Sequence, residues 1–207
     1  MKAIVFTKSP TPGAVKTRLI PELGAEGAAA LHRAMTLDVL DTVRLAGLEI
    51  QVSLSGPAGW FDAPWQAQGE GDLGERMTRA LKPGPALALG SDSPTLPIDY
   101  LRMAANALKT HDVVVGPAFD GGYWTIGWRE PVPALLEDIA WSTETVYAET
   151  VQRAGARGLS LCTLPFWYDV DTPTSLAFLR QHLRSLPPDT AYRTRRCLSS
   201  LRASPTI

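Results

Sequence analysis

The stretch that decides the fold is Ala86-Leu87-Ala88-Leu89-Gly90, followed by Ser91-Asp92-Ser93-Pro94. A short, wholly apolar run that ends in small and polar residues is typical of a strand buried in a parallel sheet. Similar runs predict strands at residues 3–7, 50–54, 113–116 and near 159–164. Helical periodicity predicts helices over residues 25–45, 74–81, 98–108, 144–154 and 175–183. This alternation predicts an α/β fold with a mostly parallel sheet covered by helices.

The composition is that of a globular protein whose net charge is close to zero. Its 207 residues are 45% hydrophobic, enough to form one core without disulfides. Lys and Arg number 20 against 21 Asp and Glu, which argues against nucleic acid or an anionic membrane as a partner. No apolar run nears the ~20 residues that cross a bilayer, and the run after Met1 is too short for a signal peptide. We therefore expect a soluble, cytoplasmic protein.

The end of the chain differs in composition from the rest. Pro187 and Pro188 stop the last predicted helix, and arginines are frequent in the residues that follow. We interpret residues 187–207 as a basic, solvated tail outside a domain that spans residues 1–186.

Basic residues follow the first predicted strand. Lys8, Lys16 and Arg18 lie in a loop whose path is constrained by Gly13 and two prolines. Because the carboxyl ends of parallel strands face the ligand crevice of an α/β sheet, these cations could bind a diphosphate there. An ordinary basic surface loop is the alternative. The glycine-rich patterns of P-loop and dinucleotide-binding proteins are absent from the sequence, which argues against a dinucleotide cofactor.

Acidic residues follow two other predicted strands. Asp92 follows the run over residues 86–90, after Ser91, where a carboxylate is well placed to hold Mg²⁺ or Mn²⁺ against phosphate oxygens. Asp169 and Asp171 alternate along an extended segment and therefore point to one side, toward the same cation. Helix capping is the alternative in both places, by Asp92 itself or by Asp171 or Thr172.

A glycine pair marks a further segment. Asp120 precedes Gly121 and Gly122, which let the backbone approach a ligand closely. Asp120 could then accept hydrogen bonds from sugar hydroxyls or act as a general base. Tyr123 and Trp124 could offer a flat face to a sugar ring. A tight hairpin turn with core aromatic residues is the alternative.

Lesser roles are assigned to three other features. Asp72 sits in a loop that enters a helix, where it could cap that helix or touch a nucleotide. Ser142 or Thr143 is predicted to cap the helix near residue 144. The three histidines, His32 among them, are interpreted as ordinary helix or surface residues.

In combination and in this order, the segments resemble a known family. The chain is similar to small bacterial proteins described as nucleotide-diphospho-sugar transferase-like, in the glycosyltransferase type A superfamily, with a more distant likeness to cofactor guanylyltransferases. The resemblance covers residues 1–185 and rests on residues 8–19, 71–77, 90–94, 120–123, 141–143 and 169–173.

The resemblance implies a three-layer α/β/α sandwich that binds a nucleotide at the carboxyl ends of its first strands. By similarity, the residues near the phosphates and nucleotide would be Lys8, Lys16, Arg18 and Asp72. The residues that hold the divalent cation would be Asp92 and Asp171, with Asp169 beside them. The residues that face the transferred group or its acceptor would be Asp120, Gly121, Gly122 and Tyr123.

Two departures from the family pattern bear on the activity. Asp92 stands in Ser-Asp-Ser, where many glycosyltransferases carry Asp-x-Asp, so a second metal ligand must come from elsewhere in the chain. The glycine-rich loop that begins many nucleotidyltransferases is missing from the start of the sequence. We therefore expect the transfer of a sugar from a nucleotide-diphosphate sugar to a small-molecule acceptor. The alternatives are transfer of a nucleotidyl group from a nucleoside triphosphate to a phosphorylated small molecule, or nucleotide binding without catalysis.

Overall fold

Strands and helices alternate along the chain in the computed structural model, which describes residues 1–82 and 84–203, with the side chains of residues 202 and 203 outside that description. The strands are β1 (Lys2–Lys8), β2 (Glu49–Ser55), β3 (Trp65–Ala67), β4 (Ala86–Gly90), β5 (Val113–Pro117), β6 (Tyr123–Trp128) and β7 (Leu161–Thr163). The helices are α1 (Ile20–Leu45), α2 (Leu73–Leu81), α3 (Ile98–Ala107), α4 (Val146–Ala156), α5 (Pro173–Ser185) and α6 (Tyr192–Ala203).

The seven strands form one sheet in the order β3-β2-β1-β4-β6-β5-β7. β1 pairs in parallel with β2 and β4, β2 with β3, and β5 with β7. Only β6 among these strands is antiparallel to its neighbours, β4 and β5. The predicted α/β fold with a mostly parallel sheet is confirmed.

Alternate residues of the central strands supply the two hydrophobic layers of the core. In β1, Ala3 and Val5 pack with α1 and α3, whereas Ile4 packs with α2 and α4 on the opposite face. In β4, Leu87 joins the first layer and Ala88 the second. Because successive strand residues point to opposite faces, each strand is buried on both sides. The result is the three-layer α/β/α sandwich that the family resemblance implies.

The strand register determines where the functional residues lie. Phe6 of β1 pairs with Gly90 of β4, so the segments that follow these two parallel strands leave the sheet at the same edge. A ligand crevice is expected at this carboxyl edge in an open α/β sheet. None of the helices in the described part of the chain is both long and apolar enough to cross a membrane.

Two strands, β3 and β6, were not predicted. β3 has only three residues at the sheet edge, too few for periodicity to reveal. β6 begins directly after the glycine pair and forms a hairpin with β5, in which the backbone nitrogen of Ala118 donates to the carbonyl of Gly122 at 3.0 Å. The hairpin alternative for this segment is therefore correct.

Residues 187–207 were expected to be a basic, solvated tail, and this interpretation is wrong for α6. The helix packs against α1, and Leu198 lies in a hydrophobic cluster with residues of α1 and α5. The buried carboxylate of Asp38 on α1 accepts hydrogen bonds from the backbone nitrogens of Arg193, at 3.1 Å, and Thr194, at 2.8 Å. These bonds satisfy free N–H groups of the first turn of α6. Residues 204–207 of the predicted tail lie outside the described part of the chain.

Candidate active site

Lys16 lies in the loop between β1 and α1. It adopts a left-handed conformation, with φ of 47° and ψ of 41°, immediately before a short 3-10 turn over Thr17–Leu19. Val15 and Leu19, on either side of Lys16, are both buried in the protein. Non-glycine residues with positive φ are uncommon and are found disproportionately at functional sites. The loop thus directs the Lys16 side chain inward, where only 4% of it is exposed.

Asp92 and Asp171, 79 positions apart in the sequence, meet at the Lys16 ammonium. Lys16 Nζ lies 2.8 Å from Asp92 Oδ1 and also forms a salt bridge with Asp171 Oδ1. The backbone explains the meeting, because the nitrogen of Val170 donates to the carbonyl of Asp92 at 3.0 Å. We call Lys16, Asp92 and Asp171 the Lys16 cluster.

Neither acid of the Lys16 cluster caps a helix. Thr172 caps α5, where its hydroxyl accepts from the backbone nitrogen of Ser175. Pro97 precedes α3, which has no side-chain cap. The Asp92 and Asp171 side chains are instead about one third exposed, at 31% and 41%, toward open space. They are free to contact a ligand.

Mutual attraction holds Lys16 and Asp92 in their charged forms. Burial alone would lower the pKa of Lys16, but the negative charges of Asp92 and Asp171 outweigh it and raise that pKa above its ordinary value. Burial would likewise raise the pKa of Asp92, but Lys16 and His32 hold it well below its usual range.

His32 on α1 is a part of the site that sequence reasoning missed. Its ring is buried, and Nδ1 lies 3.7 Å from Asp92 Oδ1. On the other side of the ring, Nε2 lies 2.9 Å from the backbone carbonyl of Lys8. Since a carbonyl only accepts, Nε2 carries the hydrogen of this bond. Nδ1 has no hydrogen-bond partner and faces the carboxylate of Asp92.

Further carboxylates extend the site beyond the Lys16 cluster. Burial, together with the neighbouring carboxyl groups of Asp171 and Asp120, raises the pKa of Asp169 to about 7. Asp120 Oδ1 accepts from the backbone nitrogen of Gly122 at 2.9 Å, which fixes its side chain on the β5–β6 turn. Asp171 and Asp120 therefore lie close enough to Asp169 to disfavour its ionisation.

An open cavity of about 690 Å³ contains most of the predicted site residues. Those that line it are Lys16, Arg18, Asp92, Asp120, Gly122, Tyr123, Asp169 and Asp171. Lys8, Asp72 and Gly121 are not among the described residues that line this cavity.

Each of these three residues has another environment. The side chain of Lys8 is exposed at the end of β1. Asp72 forms a capping box with Glu75 at the start of α2, which is the capping alternative. Gly121, with φ of +87°, packs so closely on the backbone of Glu144 that a Cβ would lie 2.1 Å from its carbonyl oxygen. The absence of a side chain at Gly121 therefore allows Glu144, which lines the cavity, to pack against this turn.

Ser142 and Thr143 line the cavity, and the prediction that they cap a helix is wrong. α4 begins at Val146, and Thr145 before it forms no side-chain cap. Ser142 has a positive φ of 66°, the second such non-glycine residue in the cavity after Lys16.

Trp124 is buried, and its indole nitrogen donates to the carbonyl of Pro165 at 3.1 Å. It therefore belongs to the core, as the alternative of a hairpin turn with core aromatic residues predicts.

Charge in the cavity is predominantly negative. Two basic side chains, Lys16 and Arg18, face a larger set of acids. The acids of the lining are Asp92, Asp120, Glu144, Asp169 and Asp171. Within the described residues, no three Asp, Glu, His or Cys side chains converge tightly enough to form a complete metal-ligand set. The arrangement suits a ligand that brings its own oxygen atoms together with a cation.

Comparison with known proteins gives matches over most of the chain. A family model described as "Uncharacterized protein conserved in bacteria (DUF2064)" matches residues 49–143. The chain is similar to the 2-phospho-L-lactate guanylyltransferase of Natronomonas pharaonis, with 29% identity over 81% of this chain and 80% of that protein.

Solved structures give two informative matches. A protein of Desulfovibrio desulfuricans G20, provisionally named a nucleotide-diphospho-sugar transferase, is 30% identical over 98% of this chain and 96% of its own, with a TM-score of 0.87. A nucleotidyl transferase of Methanothermobacter has a TM-score of 0.60 and 16% identity over 90% of this chain and 99% of its own. The second match is a likeness of fold.

Proposed function

This chain belongs to a family of nucleotide-diphospho-sugar transferase-like proteins, and we propose that it is a divalent-cation-dependent nucleotidyltransferase. It would transfer the nucleoside monophosphate part of a nucleoside triphosphate to a phosphorylated small molecule and release pyrophosphate. The Lys16 cluster, at the carboxyl edge of the sheet, is the observation that carries this proposal. The likeness to the guanylyltransferase of Natronomonas pharaonis supports nucleotidyl transfer over sugar transfer.

A divalent cation fits the residues present. The Lys16 ammonium contacts both Asp92 and Asp171, so a positive charge already stands where a metal ion would touch the two carboxylates. Mg²⁺ is commonly held by one or two carboxylates while substrate phosphates and water complete its shell. Asp92 and Asp171 would supply the protein ligands, with Asp169 beside them. When bound, the ion would neutralise charge on the triphosphate and polarise its phosphoryl oxygens.

Other side chains of the cavity would bind the phosphates and orient the acceptor. Arg18, and Lys16 once its carboxylates contact the metal, would bind the phosphates and stabilise charge on the departing pyrophosphate. A phosphate oxygen of the acceptor attacks the α-phosphorus. The bond from that phosphorus to the bridging oxygen breaks, and pyrophosphate leaves with the electron pair. An ionised phosphate needs no base, so Asp120 would orient the acceptor rather than remove a proton.

Pyrophosphate release tests the proposal directly. The purified protein is incubated with Mg²⁺, each of the four ribonucleoside triphosphates and a panel of phosphate esters. We expect acceptor-dependent pyrophosphate with a preference for one base, its loss in Asp171→Asn, and its retention in the matched control Asp38→Asn. Release that persists in Asp171→Asn would contradict the site assignment.

Sugar transfer is the second candidate, favoured by the 30% identity to the Desulfovibrio protein. The same cavity would then hold a nucleotide-diphosphate sugar, and Asp120 would accept the proton of the acceptor hydroxyl. The product separates the two reactions, because sugar transfer releases a nucleoside diphosphate. If neither product forms over broad panels of donors and acceptors, both proposals fail and binding without catalysis is favoured.

A further inference from the structure

Aromatic side chains crowd the surface beside the cavity. Phe119 is 73% exposed and Phe166 is 52% exposed. Their rings stack, with centroids 5.9 Å apart and planes inclined by 20°. Tyr147 lies against Phe166 with a centroid distance of 6.3 Å. We call Phe119, Phe166 and Tyr147 the aromatic platform.

The platform is continuous with the cavity through the chain. Phe119 stands between Ala118 and Asp120, both of which line the cavity. Its stacking partner Phe166 is three residues before Asp169, which also lines it. Each ring of the platform therefore lies within three residues of the cavity lining along the chain, near enough for a ligand in the cavity to extend onto it.

Backbone hydrogen bonds join the segments that carry the three rings. The nitrogen of Trp167, next to Phe166, donates to the carbonyl of Pro117 at 3.1 Å. The nitrogen of Tyr147 donates to the carbonyl of Gly121 at 2.9 Å, so α4 is attached to the same turn that carries Phe119. Aromatic faces that are exposed and rigid bind flat ligands with little loss of conformational entropy.

Charge restricts the ligand that this platform fits. The acids Asp120, Glu144 and Asp169 line the adjacent part of the cavity, whereas the basic side chains of the lining come from the loop after β1. An anionic group resting on the platform would therefore be repelled, while a cation gains both from these acids and from the aromatic faces.

We propose that the aromatic platform binds the acceptor through a ring-shaped part that is uncharged or cationic. This inference rests on the proposed function, which places the reacting group of the acceptor at the Lys16 cluster and leaves its body to extend outward. The acceptor class is thus a molecule whose reactive oxygen is joined to a planar, non-anionic ring.

Three probes of matched shape test this proposal without any nucleotide. Benzylamine, benzyl alcohol and benzoate are titrated into protein with isotope-labelled phenylalanine, and the ring signals are followed by nuclear magnetic resonance. We expect the Phe119 and Phe166 signals to shift, with benzylamine bound about tenfold more tightly than benzoate and benzyl alcohol between them. Phe119→Leu, which keeps an apolar side chain but removes the aromatic face, should weaken benzylamine binding about tenfold.

Phe178→Leu is the matched control, since Phe178 is also 52% exposed but lies on α5, outside the cavity lining. It should leave binding of all three probes unchanged. Equal binding of benzoate and benzylamine, or binding that survives Phe119→Leu, would overturn the inference. So would a concentration-dependent dimer that Phe119→Leu abolishes, since the platform would then bind a second copy of the chain. Magnesium-dependent triphosphate binding, measured in parallel, reports separately on the proposed function.

Discussion

Two charged clusters join distant parts of this chain, yet they are built in opposite ways. In the Lys16 cluster the cation is the buried member, with 4% of its side chain exposed, and the acids open onto a cavity. In the second cluster, formed by Asp38, Asp41 and Arg193, the acid Asp38 is buried at 5% and the cation Arg193 is 42% exposed. We call this second group the Asp38 cluster.

The two clusters differ in the groups that bond to their carboxylates. Both oxygens of Asp38 accept backbone N–H groups at the start of α6, so its bonding capacity is used within the fold. Asp92 and Asp171 instead share one ammonium group and keep acceptor capacity toward open space. A carboxylate that is fully bonded to backbone has a structural role, whereas one that a single side chain neutralises is available to a ligand.

Removal of the cation from each cluster should give the largest contrast in stability. Lys16→Met removes the ion-paired hydrogen bonds of two partly exposed carboxylates and leaves them without a counter-charge, and we expect a loss of about 3 kcal/mol in the free energy of unfolding. Arg193→Met removes an exposed cation and should cost at most about 1 kcal/mol. Urea denaturation of both variants measures these values. Equal losses would show that the two clusters are not built differently.

Removal of the acid from the Asp38 cluster should have an intermediate effect. Asp38→Ala leaves two N–H groups at the start of α6 without acceptors, and we expect a loss of about 2 kcal/mol. Triphosphate binding at the cavity should not change, because no ligand contact is removed. A variant of normal stability, or one with altered nucleotide affinity, would contradict the structural role given to Asp38.

The pH dependence of the free energy of unfolding should have opposite signs for Asp38 and Asp92. This is the smallest of the expected effects. Burial raises the pKa of Asp38 above its ordinary 3.8, against the opposing hydrogen bonds from Thr194 and Arg193. The folded protein thus keeps this proton to higher pH than the unfolded chain. The contribution of Asp38 to the free energy of unfolding therefore falls as pH rises from 3.8 to the folded pKa.

Asp92 should behave in the opposite way, because its folded pKa is lowered. Its contribution is present above the unfolded pKa of 3.8 and is lost as pH falls through the folded pKa.

Denaturation of wild type and Asp38→Asn at a series of pH values isolates the contribution of Asp38 to the pH dependence of stability. The stability of wild type relative to this variant should decline as pH rises above 3.8 and then level off. A steady increase over that window would be inconsistent with a raised pKa.

Most of the fold follows from local patterns in the sequence. The continuous apolar run at β4 predicts a buried strand. Apolar residues at every fourth position along α1 predict a helix. α6 was missed because its partner on α1, Asp38, is 155 positions from Arg193 in the chain. Composition alone describes its arginines as solvated and does not reveal that Leu198 is buried.

The candidate site was predictable only where a residue follows a strand. Asp92 and Asp171 were found in this way, since strand ends meet at one edge of the sheet. His32 lies within a helix, and nothing in its local sequence indicates that its ring faces Asp92. Lys16 was expected to contact phosphate, and its contact with both carboxylates depends on a left-handed backbone that the sequence does not signal.

Equilibrium binding of a nucleoside triphosphate to the wild type and to Asp92→Asn, each with and without Mg²⁺, tests the central claim most directly. Asp38→Asn serves as the control with the same chemical change in the other cluster. The account predicts that Mg²⁺ strengthens binding to the wild type and the control, and that Asp92→Asn loses this magnesium-dependent gain. Wild-type affinity and an intact magnesium response in Asp92→Asn would contradict it.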